Sequence, residues 1–418
     1  MRFFFPDSQD QVDPLFDFVS EEHPIHRVRQ RDDRYAHEVL QERPFDGLLI
    51  SKSIIDGHNG LAAGRYSTAS RNRLYREGAR RFFRLDSEHS DVIIMGDCGA
   101  FTYAMEDEPP YTVSEVVDFY QHCGLDWGVA PDHIVFGFVR PGDPVPDDKV
   151  DDWERRRALT ITNSKEFLSE LEKRGSLLEP IGVAHGWSPD TYAQSVRELQ
   201  EIGYTRIAMG GMVPLRTKDI LLALEAVQTE LIDGTGLHLL GVTRTEEMRT
   251  FEAYGVTSFD STSPFRQAFK DDKDNYYTLD TAYIAIKVPQ VDGNPALKRR
   301  IKSGVVNQRM AIEAERKCLQ VLRDYGNGTV DIESALQALN AYSSVNGEKD
   351  RTDVYRRTLE DRPWEHCPCG ICAEIGIDVV LFRGSERNKR RGFHNLAVFR
   401  QRIARNGFHS LRLPRNSQ

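Results

Sequence analysis

Short apolar runs alternate with longer amphipathic stretches between Gly47 and Asp260. The apolar runs have the length of buried strands, and they are Gly47 to Ser51, Asp91 to Met95, Trp127 to Ala130, Ile181 to Ala184, Arg206 to Met209, His238 to Val242 and Thr257 to Phe259. Between them, apolar residues recur with helical spacing in Val113 to His122, Asp151 to Arg174, Pro189 to Ile202, Lys218 to Leu231 and Thr245 to Tyr254. This repeated order of strand and helix predicts an α/β fold with a parallel sheet.

Polar residues and glycines follow the predicted strands. The clusters are Gly96-Asp97-Cys98-Gly99-Ala100-Phe101, Pro131-Asp132, His185-Gly186-Trp187, Gly210-Gly211-Met212 and Asp260-Ser261-Thr262-Ser263. In a closed (β/α)8 barrel of the TIM type, such strand ends meet on one face, where the active site is built. No G-x-G-x-x-G fingerprint, which would indicate a dinucleotide-binding open sheet, follows the first predicted strand. We therefore predict a (β/α)8 catalytic barrel over residues 1–290.

The sequence pattern changes after Asp260. Residues from about Lys298 to Leu359 have helical periodicity, most regularly in Ile312 to Leu322 and Ile332 to Tyr342. We predict a helical insertion over residues 291–360 and a zinc-binding, basic C-terminal subdomain over residues 361–418. A chain of 418 residues has room for two or three domains, but one barrel with these additions fits its length equally well.

Three cysteines and a histidine have the spacing of a metal site. The stretch His366-Cys367-Pro368-Cys369-Gly370-Ile371-Cys372 holds half of the six cysteines, and His394 follows it. Three thiolates and an imidazole saturate a tetrahedral Zn²⁺, so the ion would organise the fold and leave no position for a reacting water. His366 lies too close to the cysteines to close the tetrahedron easily, and His409 is a usable competitor. We predict that the ligands are Cys367, Cys369, Cys372 and His394.

The other cysteines and the start of the chain indicate an intracellular protein. The spacing of Cys98, Cys123 and Cys318 does not suggest disulfide bonds. The start from Met1 to Asp7 lacks the apolar core and cleavage site of a signal peptide. No apolar run approaches the roughly 20 residues that cross a bilayer. We expect a cytoplasmic protein with no membrane partner.

The net charge of −9 argues against a wholly basic nucleic-acid binder, but the positive charges are clustered. One cluster runs from Arg383 to Arg415, a second from Arg65 to Arg84 and a third from Lys298 to Lys302. Each cluster alone is typical of a solvated face. The three together favour a polyanionic partner, because phosphate contacts need local positive potential. We expect Arg390 and Arg391 to contact phosphate.

The strand-end clusters, taken in order, resemble the tRNA-guanine transglycosylase superfamily over most of the chain. The resemblance is carried by Asp97-Cys98-Gly99-Ala100-Phe101, Asp132, Gly182-Val183-Ala184-His185-Gly186, Ala208-Met209-Gly210-Gly211, Gly255-Val256-Thr257-Ser258-Phe259-Asp260 and the cysteine motif with its distant histidine. The tRNA-acting members have Asp-Ser-Gly-Gly-Phe-Gln in place of Asp97 to Thr102, and Gln-Gly-Gly in place of His185-Gly186-Trp187. These departures, the helical insertion, and Phe5-Pro6-Asp7 followed by Val12-Asp13-Pro14 resemble the DNA-acting branch.

The resemblance implies an enzyme that exchanges guanine in DNA for 7-cyano-7-deazaguanine, with structural Zn²⁺ as cofactor. DNA, the free 7-cyano-7-deazaguanine base and accessory DNA-modification proteins are the implied partners. Asp260 takes the position of a nucleophile that forms a covalent glycosyl ester, and Asp97 that of the group that moves the proton. The implied base pocket consists of Phe101, Asp132, His185, Gly186, Gly210 and Gly211. In it, Phe101 stacks on the base, Asp132 accepts hydrogen bonds from it, and the glycine amides donate to its carbonyl.

Each of these site residues has a plainer structural alternative. Asp132 is placed where an aspartate often caps the next helix. Gly210 and Gly211 have the composition of a simple turn, and His185 fits a core histidine with satisfied hydrogen bonds. Two functional alternatives stay open, namely a tRNA-acting transglycosylase and a non-catalytic, zinc-stabilised nucleic-acid-binding protein.

Overall fold

The computed structural model describes residues 1–7, 10–58, 65–347 and 349–408. The alternative zinc ligand His409 and the basic residues Arg412 and Arg415 lie outside these described residues. The chain forms two compact units: the first holds Met1–Gln9, Phe45–Thr262 and Ile403–Gln418, and the second holds Asp10–Pro44 and Ser263–Arg402. The division into residues 1–290, 291–360 and 361–418 rests on sequence pattern and stays a prediction.

The first unit is built on a closed barrel of eight parallel strands. The strands are β1 (Arg2–Pro6), β2 (Gly47–Ser51), β3 (Ile93–Asp97), β4 (Trp127–Val129), β5 (Glu179–Ala184), β6 (Arg206–Met209), β7 (Gly236–Leu239) and β8 (Val256–Asp260). Each strand pairs with the next in the chain, and β1 closes the barrel by pairing with β8, where Phe4 lies opposite Asp260. The predicted (β/α)8 barrel is confirmed.

Strand β1 is the barrel strand that the hydrophobic pattern missed. Its phenylalanines Phe3 and Phe4 are fully buried, but an apolar run this short does not distinguish a strand from other buried segments. The interior of the barrel is closed by apolar side chains from successive strands, which are Phe4, Leu49, Met95, Trp127, Val129, Ile181, Val183 and Ala208. Because this core fills the barrel, polar chemistry is confined to the strand ends.

Helices follow most of the strands and make up much of the second unit. In chain order they are α1 (Ala36–Val39), α2 (Lys52–Asp56), α3 (Thr68–Glu77), α4 (Ala79–Phe82), α5 (Val113–Cys123), α6 (Asp147–Lys173), α7 (Pro189–Ile202), α8 (Thr217–Gln228), α9 (Met248–Ala253), α10 (Ser263–Gln267), α11 (Pro295–Lys302), α12 (Gln308–Gly326), α13 (Ile332–Asn346), α14 (Thr352–Asp361), α15 (Gly370–Ile375) and α16 (Gly384–Arg405). Helix α7 has the predicted bounds, and its amino end is set by Ser188, whose side chain accepts from the N–H of Thr191. None of the helices in the described ranges has both the length and the apolar character needed to span a membrane.

The second unit has little sheet. Strands β9 (Asp274–Tyr277) and β10 (Ala282–Ile284) form an antiparallel pair, and β11 (Ile286–Lys287) and β12 (Leu381–Phe382) form a parallel one. Helices α11 to α14 hold most of the described residues from Lys298 to Leu359, so the expected helical character is confirmed. The long helix α16 follows and carries His394.

The basic residues from Arg383 to Arg400 are largely buried within the second unit. Arg390 is 1% exposed, and it donates to Oε2 of Glu386 at 2.7 Å and to the carbonyl of Asp13 at 2.6 Å. Arg391 is 0% exposed and donates to backbone carbonyls, among them that of Ala268 at 2.6 Å. Burial lowers the pKa of Arg391 to about 9.

The prediction that Arg390 and Arg391 contact phosphate is therefore wrong. Both guanidinium groups are buried, and their Nη atoms donate to acceptors inside the unit. Exposed basic residues remain in the other two clusters, for example Arg81 and Arg299.

Candidate active site and metal centre

The carboxyl ends of the barrel strands bring the predicted site residues to one face. Asp97 is the last residue of β3, and Asp260 is the last residue of β8. Asp132 follows β4, His185 follows β5, and Gly210 follows β6. The fold thus places at one rim three carboxylates that are far apart in the sequence.

Asp260 is held in place through one of its two carboxylate oxygens. The amide of Gly241 donates to Oδ1 of Asp260 at 3.0 Å, and Nε2 of His238 lies 3.2 Å from the same oxygen. Nδ1 of His238 lies 2.9 Å from Oγ of Ser258. These contacts hold Oδ1, whereas Oδ2 has no hydrogen-bond partner among the described residues. Asp260 is buried, with 7% of its surface exposed.

Asp97 has the environment of a proton-transfer group. Burial raises the pKa of its carboxyl group to about 7, and the charges of Asp132 and Asp260 act in the same direction. The amide of Gly99 donates to Oδ1 of Asp97 at 3.0 Å and opposes this shift. A carboxyl group with a pKa near neutrality can both give and take a proton at physiological pH.

Asp132 lies at the centre of a buried polar group. Its Oδ2 is 2.7 Å from Nε2 of His185, and its Oδ1 accepts from the thiol of Cys98 at 3.1 Å. The hydroxyl of Tyr103 donates to Sγ of Cys98 at 2.9 Å. Nδ1 of His185 has no hydrogen-bond partner among the described residues, although the side chain is buried. A buried ring nitrogen without a partner is costly unless a ligand satisfies it.

Asp97, Cys98 and Asp132 are also close enough to one another to hold a metal ion. Burial raises the pKa of the Cys98 thiol well above its usual value. The thiol therefore keeps its proton and acts as a hydrogen-bond donor to Asp132. In this arrangement the thiol belongs to the hydrogen-bond network around Asp132.

The glycines after β6 line the pocket in different ways. The amide of Gly210 donates to the carbonyl of Ala184 at 3.0 Å, so it is committed to the sheet and is not available to a base. A Cβ atom on Gly210 would lie 2.2 Å from Cε1 of His185, which means that only glycine fits there. The amide of Gly211 has no partner within the described part of the chain. Gly186 is buried directly after His185.

Two exposed aromatic rings lie together at this rim. Phe101 is 57% exposed and Phe136 is 46% exposed, and their rings meet edge to face with centroids 5.7 Å apart. Phe101 is in the short 3-10 turn that follows Gly99. Exposed aromatic faces at a catalytic rim are suited to stacking on a flat heterocycle.

The predicted metal ligands are brought together in the second unit. Nδ1 of His394 lies 3.3 Å from Sγ of Cys367, 3.4 Å from that of Cys369 and 3.2 Å from that of Cys372. Nε2 of His394 lies 2.7 Å from the carbonyl of Tyr277, which turns Nδ1 towards the sulfurs. The group could hold a metal ion, and its spacing is close to the edge of about 3.5 Å expected for tetrahedral Zn–S and Zn–N bonds.

Sequence reasoning missed His238 and Phe136. His238 stands among apolar residues in β7, and a single polar residue inside a strand was a usable signal of an inward functional side chain. Its partner Asp260 is on β8, and this pairing depends on the strand register, which places His238 opposite Ser258. Phe136 lies in a loop without periodic pattern, and it meets Phe101 only in the folded chain.

No family model matches the chain. A protein from Salmonella montevideo, named DNA-guanine transglycosylase, is 47% identical to it over 408 residues. The match covers 96% of this chain and 96% of the relative. The similarity therefore includes both the barrel and the cysteine-bearing segment.

Proposed function

The chain belongs to the family of the DNA-guanine transglycosylases, and from this membership we propose that it exchanges guanine in DNA for 7-cyano-7-deazaguanine. Membership makes the protein a transglycosylase enzyme, which argues against the alternative of a non-catalytic nucleic-acid-binding protein. The observation that best supports the proposed chemistry is the pair of unlike carboxyl groups at the barrel rim. Asp260 is oriented by two donors, whereas Asp97 has a pKa raised to about 7.

The proposed exchange has two displacements at C1′ of the deoxyribose. Oδ2 of Asp260 attacks C1′, the bond from C1′ to guanine N9 breaks, and Asp97 gives its proton to the departing base. This leaves a covalent glycosyl ester, which preserves the energy of the glycosidic bond. The incoming base then gives its N9 proton to Asp97, and its nitrogen displaces the carboxylate of Asp260 from C1′. Neither ATP nor a redox cofactor is consumed.

Base recognition is assigned to the buried polar group around Asp132. Its carboxylate accepts from the N–H edge of guanine, and the amide of Gly211 donates to the carbonyl of the base. Nδ1 of His185, which lacks a partner among the described residues, gains one from the bound base. Phe101 stacks on the base, and Gly186 and Gly210 shape the pocket by letting Tyr192 and His185 pack closely against the backbone. The target nucleotide must leave the DNA stack to reach this rim.

The cysteine group is assigned to a structural Zn²⁺. Three sulfur donors and one imidazole match the ligand set of closed zinc sites, and the group at Cys367, Cys369, Cys372 and His394 offers these donors. When bound, zinc would stabilise the fold of the second unit and supply no step of the exchange. A cytoplasmic location and accessory DNA-modification partners stay predictions from the sequence.

Incorporation of labelled base separates the DNA-acting function from the tRNA-acting alternative. Purified protein is incubated with genomic DNA or bulk tRNA and with radiolabelled guanine, and in parallel with 7-cyano-7-deazaguanine followed by nucleoside mass spectrometry. We expect both bases to enter DNA and neither to enter tRNA. Incorporation confined to tRNA would overturn the proposal, and so would exchange of guanine alone.

A further inference from the structure

The loop after β4 displays two aromatic rings on a segment whose other side chains are packed inwards. From Val135 to Val139 the side chains alternate: Val135 and Val139 are buried with Trp187, whereas Phe136 and Phe138 face outwards and are at least partly exposed. A Cβ atom on Gly137 would lie 2.2 Å from the ring of Trp153, so the inner side of the segment is tightly packed. The rings are therefore presented by a fixed backbone.

These rings form one side of a surface cavity of about 370 Å³. The other side is the loop after β6, which contributes Gly211 and Arg216. Arg216 immediately precedes helix α8 and is exposed. The cavity thus opens on the same barrel rim as the carboxyl groups, between the loops after β4 and β6.

An arginine is held at the cavity in one orientation. Nε and Nη2 of Arg140 donate to the two oxygens of Asp219 at 2.7 and 3.0 Å. This bidentate pair fixes the plane of the guanidinium and leaves its Nη1 side open to another acceptor. Asp143 also lines the cavity, so its wall carries two arginines and two aspartates and has no net charge. Such a wall fits a ligand with both an anionic group and N–H donors.

The cavity is continuous with the proposed base pocket. Gly211 lines the cavity and belongs to that pocket, and Phe136 lines the cavity while touching Phe101. A nucleotide of DNA necessarily has neighbours on the strand, and the neighbours of a flipped nucleotide must lie against the same rim. Aromatic rings and an arginine are the groups that hold an unstacked nucleotide by its base and its phosphate.

We propose that this cavity binds the nucleotide adjacent to the exchanged guanosine, with its base against Phe136 and Phe138 and its phosphate at Arg140 and Arg216. The proposal rests on the proposed function, because it requires a nucleic-acid substrate. It makes Phe138 and Arg216 determinants of sequence context that take no part in the bond-breaking chemistry.

The test is a double-mutant cycle in which one change is made in the protein and the other in the DNA substrate. A duplex oligonucleotide in which the wild-type protein exchanges one guanine is synthesised again with an abasic residue on the 5′ or the 3′ side of that guanine. Exchange of labelled guanine is measured for wild type and for Phe138→Ala. We expect one abasic position to lower kcat/KM of the wild type by roughly 5-fold or more, the worth of one base–aromatic stack. The same abasic position should have a clearly smaller effect on Phe138→Ala, because one of the two rings that contact the base is already gone.

The phosphate contact is tested in the same way with Arg216→Ala and a methylphosphonate linkage beside the guanine. Leu177→Ala and Arg197→Ala serve as controls, because Leu177 is a fully exposed apolar residue just before β5, at the opposite end of the barrel, and Arg197 is an exposed arginine in α7. Both control variants should lose as much kcat/KM on the modified substrates as wild type does.

Equal losses from the abasic residue in wild type and Phe138→Ala would overturn the proposed subsite while leaving the exchange reaction intact. If wild type exchanges no guanine in any DNA, the proposed function fails first, so the two failures are distinguishable. A melting temperature within the range of wild type shows that a variant has kept its fold.

Discussion

Nε2 of His238 lies 3.2 Å from Oδ1 of Asp260, on the neighbouring strand of the barrel. The other ring nitrogen of His238 lies 2.9 Å from the hydroxyl of Ser258, so the ring is held at both ends. The amide of Gly241 reaches the same carboxylate oxygen. His238 therefore acts on the proposed reaction through the orientation of Asp260, and we treat it as a positioning residue.

His238→Ala should lower kcat for base exchange about 100-fold with little change in KM, since a small misplacement of a reacting group costs on this order. His238→Gln should recover part of the loss, because its amide can still donate to Oδ1 of Asp260. Steady-state kinetics with labelled guanine measure both values. Equal kcat values for the alanine and glutamine variants would show that hydrogen bonding to Asp260 is not the role of His238.

The barrel could be predicted from the sequence because its signals are local. Helix α7 begins at a serine cap followed by proline and has an apolar face, all of which can be read along the chain. The carboxylates Asp97 and Asp260 could be singled out as candidates because each follows a predicted strand and because the family resemblance implies a carboxylate at its position. The different environments of these two carboxylates could not be predicted, since the donors to Asp260 and the charges near Asp97 come from other strands.

The burial of the basic C-terminal cluster could not be predicted from the sequence. Composition alone does not separate a solvated arginine from one that is paired inside a fold. In helix α16 the pairing partners of Arg390 include the carbonyl of Asp13, which is remote in sequence. Only the tertiary structure reveals that these arginines stabilise the second unit.

Arg390→Ala should destabilise the second unit by about 3–5 kcal/mol, because it leaves the buried carboxylate of Glu386 without its ion-pair partner. Arg309→Ala is the matched control: its ion pair with Glu313 is well exposed, and such pairs contribute at most about 1 kcal/mol. Denaturant unfolding followed by circular dichroism gives both free energies of unfolding. Equal free energies of unfolding for the two variants would show that the ion pair of Arg390 contributes no more than an exposed one.

The raised pKa of Asp97 predicts a pH-dependent stability. In the unfolded chain its carboxyl titrates near 3.8, and burial in the folded protein raises the pKa to about 7. Between these values the folded state binds more protons, so this group lowers stability progressively as pH rises from about 4 to 7. Asp97→Asn should therefore raise Tm at pH 8 and change it little at pH 4.

Differential scanning fluorimetry at the two pH values measures this effect. Asp233→Asn, at an exposed loop position, is the control and should leave Tm unchanged at both. A Tm gain of Asp97→Asn that is the same at pH 4 and pH 8 would contradict the assigned titration.

Zinc should be present at about one ion per chain, as a four-ligand site requires. Cys369→Ser should lose the metal and give protein that is insoluble or melts at lower temperature, because metal binding is coupled to folding. Cys318→Ser removes a buried cysteine outside the group and should retain the metal. Elemental analysis and thermal melts check both variants. A Cys369→Ser protein that is folded, metal-free and active would refute a structural role for zinc.

The two carboxylates at the rim should fail in different ways. Asp260→Ala removes the proposed nucleophile and should abolish both base exchange and any covalent adduct between protein and DNA. Asp97→Ala keeps the nucleophile and should still bind DNA, but it loses the proton transfer that is typically worth about 10²–10⁴-fold in rate. Denaturing electrophoresis with labelled DNA resolves the adduct, and exchange of labelled guanine gives the rates. An adduct that persists in Asp260→Ala would assign the nucleophile to another residue.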